Sequence, residues 1–345
     1  MADSMIDPTL PFIDLHRHLD GSVRLETILD LAKQHGVKLP ASTVEELRPH
    51  VEVTDPQPGL MAFIAKMLWM TRVLADADAC RRITRENVED AKREDIDYLE
   101  LRFSPFFMAE PHGLDPERVV AAVVEGAAEG AEATGVRVNL IGILSRTYGA
   151  EIAMKELEAL LAHREHLVAL DLAGDEANFP APLFTEHFRK GRDAGWRITV
   201  HAGEGGGPQS VWDSVRLLGA ERIGHCTRAL EDPALVDFLL ENRIAIEANL
   251  TSNVHTSTVP DLASHPLRAM LAHGLIASIN TDDPGVSGID LRHEFNIAAP
   301  AAGLSREQIR QAQINALETA FLSAEEKAAL RTKRERPDGR LHGPS

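Results

Sequence analysis

The chain has 345 residues, 44% hydrophobic and 26% charged, which is enough apolar material for a sizeable core and excludes general disorder. A formal net charge of −17 repels phosphate backbones, so a nucleic-acid polymer is not an expected partner. Two cysteines, Cys80 and Cys226, can supply neither a disulfide framework nor a cysteine-rich zinc site.

In chain order, residues 1–12 carry no basic or apolar leader region, and the most apolar stretch, 60–70, is broken by Lys66 and too short for a bilayer. The expected location is the cytoplasm, with no membrane partner. Short runs rich in Ile, Val and Leu then recur at 12–15, 98–103, 138–143, 168–172, 198–200, 222–224, 244–248 and 277–279, with helical patterns between them. Near-continuous apolar strands alternating with helices suggest a buried parallel sheet, and eight such units suggest a closed (β/α)8 TIM barrel in a single catalytic domain over 1–345. Helix starts are marked by Asp115-Pro116 and Asp232-Pro233, and by the capping-box spacings Thr43…Glu46, Ser305…Gln308 and Ser323…Glu326. After Ser22, the residues Leu25, Ile28, Leu29 and Ala32 share one helical face. The stretch from about 20 to 97 is far longer than a crossover needs. It predicts extra helices inserted after the first strand as a lid over one mouth of the barrel. From about 331 the charge-, Pro- and Gly-rich end reads as a frayed tail.

Polar residues gather where these strands should end. His16 and His18 close the first; residues two apart in a strand point the same way, so both can reach one ion. His201-Ala202-Gly203-Glu204 closes the fifth, Gly224-His225 the sixth and Asn280-Thr281-Asp282-Asp283-Pro284 the eighth. Taken singly, each has an ordinary explanation: a lone His is usually a surface or hydrogen-bonded residue, and Asp-Asp-Pro is usually a turn. In a barrel they converge at the C-terminal rim, the face that carries catalytic residues. Three imidazoles and one carboxylate suit zinc with a position left open for water, although iron, cobalt or manganese could substitute.

The strings His16-Arg17-His18-Leu19-Asp20-Gly21, Leu172-Ala173-Gly174-Asp175-Glu176, His201-Ala202-Gly203-Glu204, Gly224-His225 and Ser278-Ile279-Asn280-Thr281-Asp282-Asp283-Pro284 resemble, in that order, the adenosine deaminase family of the amidohydrolase superfamily. The likeness spans about 10–330, and Thr251-Ser252-Asn253 and the run 305–308 favour its bacterial branch. The resemblance implies hydrolytic deamination of adenosine and 2′-deoxyadenosine to inosine and 2′-deoxyinosine with release of ammonia. It implies one Zn2+ per chain, held by His16, His18, His201 and Asp282, which makes hydroxide available at neutral pH to add to C6. It implies that Glu204 delivers a proton to ring N1, that His225 stands beside the water as base or electrostatic orienter, and that Asp283 contacts the water and N7. Gly174 would offer its backbone amide to N3, Asp20 would reach the ribose 5′-hydroxyl, and His18 would also line the substrate.

Each role has a plainer alternative. Glu204 could cap the following helix or orient His201, and Asp20 could be a turn residue before Gly21. The chain departs from the family pattern at Gly205-Gly206-Gly207, at Cys226 (read as a small buried thiol) and in details of the apolar gate 61–69. Competing readings are a purine deaminase acting on adenine or a modified adenosine, another single-metal amidohydrolase, or a silent binding protein on the same scaffold. A two-metal enzyme bridged by a modified Lys is disfavoured because the run 168–172 holds no Lys. A Pro-Cys-x-x-Cys deaminase is excluded by the absence of that motif.

Overall fold

The computed structural model describes residues 4–335. Eight parallel strands, β1 (Ile13–His18), β2 (Tyr98–Phe103), β3 (Arg137–Ser145), β4 (Leu167–Ala173), β5 (Arg197–Ala202), β6 (Arg222–His225), β7 (Ala245–Ala248) and β8 (Ala277–Ile279), stand side by side in sequence order, with helices around them. This is the expected TIM barrel. Several strands extend beyond the apolar runs at their C-terminal ends. β1 reaches His18, β5 Ala202 and β6 His225, because backbone pairing continues after the apolar pattern stops.

The seam between β1 and β8 is closed at one place. Asp282 N–H donates to His16 O and His18 N–H to Asp282 O, both at 2.7 Å. Just below, Leu15 N–H donates to the Asn280 side chain at 3.0 Å. The register of β1 on β2 shifts between Asp14 and Arg17. Beside this shift Asp14 Oδ2 pairs with Arg17 Nε at 3.1 Å and Asp14 Oδ1 accepts from His16 N–H at 3.3 Å. The helix Arg306–Thr319, opened by the expected Ser305/Gln308 capping box, packs over both strands of the seam.

Helices α1 (Leu25–His35), α2 (Val44–Val51), α3 (Leu60–Thr71) and α4 (Ala77–Arg93) fill the long first connection. α1 buries Leu25, Ile28 and Ala32 of the expected face, with Leu29 only partly buried and Leu31 buried in addition. α4 behaves as the ordinary crossover helix. It lies against the helix Pro116–Thr134, where a Cβ at Gly126 would come within 2.3 Å of Arg81 O. The truly additional helices are therefore α1 to α3. Asp115 and Asp232 cap their helices as expected, accepting from Glu117 N and from Ala234 and Leu235 N. The last helix, Ala324–Glu335, carries regular structure past the expected start of the tail, and residues 336–345 lie outside the described residues. Among the described residues no helix is long and apolar enough to cross a membrane.

Candidate active site

At the C-terminal rim, the Nε2 atoms of His16 and His18 each lie 3.1 Å from Nε2 of His201. Asp282 Oδ1 is 3.1 Å from His16 Nε2 and 3.3 Å from His18 Nε2. The four residues are buried, and one ligand atom from each lies within 4.8 Å of all the others. Zinc bonds of about 2.0–2.1 Å in a tetrahedron give ligand edges of about 3.3 Å, so these spacings fit one such ion. Backbone geometry assists: Asp282 is held at φ +65°, uncommon outside glycine, in the turn that also stitches the seam. Gly224 is required on β6 because a Cβ there would lie 2.9 Å from the His16 ring.

The outer nitrogens of two imidazoles are fixed. His16 Nδ1 pairs with Glu247 Oε2 at 2.7 Å and His201 Nδ1 with Asp171 Oδ2 at 3.0 Å. A carboxylate on Nδ1 sets the tautomer and turns the Nε2 lone pair to the centre, the arrangement of metal-binding histidines. Burial pushes His201 down to about 4, so it is neutral and ready to coordinate. Behind the carboxylates, Arg102 reaches Asp171 and Glu247 at 2.7 Å each, and Arg222 reaches Glu247 at 2.7 Å and pairs with Glu100. Burial alone would raise both carboxyls. His201 and Arg102 hold Asp171 below the usual range, and the two arginines do so for Glu247.

Beside the cluster opens a cavity of about 270 Å³, lined by His18, Asp20, Gly174, Glu204, His225, Asp282 and Asp283. The apolar α3 covers it with Leu60, Met61, Phe63, Ile64, Met67 and Leu68, as expected of the gate. Glu204 is buried, and its carboxyl is raised well above the usual range by burial, then by Asp282, Glu176 and Asp283. Its Oε2 lies 3.6 Å from His225 Nε2. Asp283 Oδ1 and Asp20 Oδ1 are buried without a hydrogen-bond partner, while Asp20 Oδ2 accepts from Ser104 N at 3.2 Å. Gly21 packs against Asp283 so closely that a Cβ would lie 1.7 Å from Oδ1. Gly174 has φ +111°, and a Cβ would meet Thr147 Oγ1 at 2.4 Å. Every residue singled out in the sequence thus reaches this rim.

Some residues escaped the sequence reading. Glu176 accepts backbone N–H bonds from Gly203 (2.7 Å), Glu204 (3.1 Å) and Gly205 (2.7 Å), so a carboxylate inside a nest of amides shapes the loop that carries Glu204. This accounts for Gly206, where a Cβ would sit 2.7 Å from Glu176 Oε1; a Cβ at Gly205 or Gly207 would meet only ordinary contacts. Asp171, Glu247, Arg102 and Arg222 were visible only as charges within apolar strand runs. Cys226 is a buried free thiol outside the ligand cluster.

A family model described as adenosine deaminase matches residues 11–335. An adenosine deaminase of Escherichia coli O1:K1 / APEC is 60% identical over 329 residues, covering 95% of this chain and 99% of that protein. Among solved structures, an adenine deaminase from Arthrobacter aurescens superposes with a TM-score of 0.87 at 29% identity, covering 94% of this chain and 98% of its own. An amidohydrolase from Burkholderia ambifaria with bound zinc also gives 0.87, at 26% identity and 96% and 91% coverage.

Proposed function

This chain belongs to the adenosine deaminase family and hydrolyses adenosine to inosine and ammonia; from that premise we propose that His16, His18, His201 and Asp282 hold a single Zn2+ and that the rim around them carries the reaction. What supports the ligand set is the 3.1–3.3 Å separation of four of its donor pairs, with all four donors within 4.8 Å of one another, and the carboxylates behind two of its imidazoles. A zinc ion there supplies a Lewis acid that makes water nucleophilic near neutral pH.

The chain's own residues do the rest. Water adds to C6 of the purine, and the 6-amino group leaves as ammonia. Glu204, held in its acid form by burial and neighbouring carboxylates, protonates N1 as the ring loses aromaticity. Asp283, with an unpartnered oxygen, contacts N7 and the incoming water, and His225 flanks the same place. Gly174, at φ +111° and with no room for a Cβ beside Thr147, offers its backbone amide to N3. Asp20 Oδ1 is buried without a hydrogen-bond partner, 3.7 Å from His18 Nδ1, which supports a ribose 5′-hydroxyl as its partner; no residue is assigned to the 2′-hydroxyl, so 2′-deoxyadenosine is the second substrate. Residues 1–345 act as one catalytic domain with α1 to α3 as its lid, and the cytoplasm, in keeping with two buried free thiols, is the proposed location. The test is a panel of adenosine, 2′-deoxyadenosine, adenine and adenosine monophosphate, with ammonia release and metal content measured together. Comparable turnover of the two nucleosides and one zinc per chain are expected. Preference for adenine would overturn the assignment of Asp20, and an active metal-free enzyme would overturn the ligand set.

A further inference from the structure

His225 has two ring nitrogens, and which of them carries a proton decides what the ring offers the reacting centre. A buried chain of hydrogen bonds settles the choice. It begins at a backbone amide, which can only donate: Leu267 N–H donates to His265 Nδ1 at 3.1 Å. His265 must then carry its proton on Nε2, since burial pushes this imidazole down to about 3 and keeps it neutral. His265 Nε2 in turn donates to Asn253 Oδ1 at 3.1 Å. That contact pins the amide, because turning it over would set two donors face to face. Asn253 Nδ2 is left to donate to His225 Nδ1 at 2.8 Å, joined by Asn249 Nδ2 at 3.3 Å. Asn249 Nδ2 also lies 3.5 Å from Nε2, beside the ring, while Nε2 itself faces Glu204 Oε2 at 3.6 Å and Asp282 Oδ2 at 3.8 Å. His265, Asn253 and His225 are all buried, so water does not scramble the order. The backbone of Asn253 is also anchored, donating to Asn249 O and accepting from Val259 N, each at 3.0 Å.

We propose that the relay from Leu267 N through His265 and Asn253 fixes the proton of His225 on Nε2, so that His225 meets the reacting centre as a hydrogen-bond donor and Asn253 and His265 are positioning residues. The catalytic consequence rests on the place given to His225 in the reaction above; the relay itself does not.

Nitrogen-15 NMR of histidine-labelled, zinc-loaded enzyme tests it, with the His225 signals identified by their loss in His225→Gln. Wild type should show the Nε2–H form. His265→Gln keeps a donor aimed at Asn253 and should retain that form with kcat within a few-fold. His265→Leu releases the amide and should give mixed forms. Asn253→Asp replaces a donor by an acceptor and should move the proton to Nδ1. A misplaced tautomer in a catalytic histidine costs up to about 10⁴-fold, so kcat should fall by about 10²- to 10⁴-fold with KM little changed. Nδ1–H in the wild-type spectrum, or Nε2–H retained in Asn253→Asp, overturns the relay. A moved proton with unchanged kcat overturns the donor role of His225 instead. If Asn253→Asp does not fold, the wild-type spectrum and the His265 pair still decide.

Discussion

Glu204 and Asp20 are both buried carboxyls beside one cavity, and their surroundings divide them. Glu204 sits among Asp282, Glu176 and Asp283, which with burial favour its protonated form, whereas Asp20 takes one amide hydrogen bond and keeps an oxygen unspent. A Glu204→Gln enzyme keeps the shape and a hydrogen bond but cannot transfer the proton. Its kcat should fall by about 10²- to 10⁴-fold, the usual worth of a positioned acid, with zinc content unchanged; near-normal turnover would remove the acid role. Asp20→Ala should lower kcat/KM for adenosine by an amount equivalent to about 1–3 kcal/mol, the cost of one lost buried hydrogen-bond partner. It should also narrow the preference over the monophosphate, whose phosphate the wild-type carboxylate repels. An unchanged ratio of the two substrates would assign Asp20 to the turn alone. The proposed ligands were readable in the sequence because a polar residue just after an apolar run is conspicuous. Asp171 and Glu247 were not: each is one charge inside a strand, and only the register of the neighbouring strands shows which imidazole it meets.

At the scale of elements, the loop after β5 shows how a short segment is made rigid. Three successive amides, from Gly203 to Gly205, point at the Glu176 carboxylate, which comes from the loop after β4. Glu176→Gln halves the acceptor capacity and puts a donor among donors. It should cost about 1–3 kcal/mol of stability for the unsatisfied amides and lower kcat by displacing Glu204, with zinc retained. Full activity in the variant would show that the loop holds its shape without the carboxylate. The glycines looked like excess freedom in the sequence; at Gly206 the absence of a Cβ lets the backbone pass close to that carboxylate. α1 to α3 were legible as an insertion from length alone. That α4 belongs to the barrel rather than the lid was not, because its assignment depends on its packing against the helix Pro116–Thr134.

At the scale of the whole molecule, buried charge links stability to the site. Arg102 joins the carboxylates on His16 and His201, so Arg102→Met takes the guanidinium away from Asp171 and leaves Glu247 with Arg222 alone. The loss should be about 3–5 kcal/mol, as when a buried pair is broken, and zinc affinity should drop by about 10- to 100-fold; unaltered metal titration would disconnect the network from the site. Elsewhere, Glu156 is buried between β3 and the loop after β2. Burial raises it to about 7 against the hydrogen bonds it accepts from Ser145 N, Ser104 Oγ and Phe106 N. Its folded-state pKa therefore exceeds the unfolded value, so the stability it contributes is complete below the ordinary carboxyl range and is lost as pH rises through about 7. Melting curves from pH 5 to 8 should flatten in Glu156→Gln relative to wild type, and parallel curves would contradict this. The seam between β1 and β8 bears on a different matter, the order of events during synthesis. Leu15 and Asn280, 265 positions apart, meet where His16, His18 and Asp282 close the ring, so the first ligands leave the ribosome long before the last. A long-range contact of this kind forms late. A site that needs all four proposed ligands can therefore be completed only after Asp282 has emerged, when the backbone bonds between Asp282 and the end of β1 close the seam.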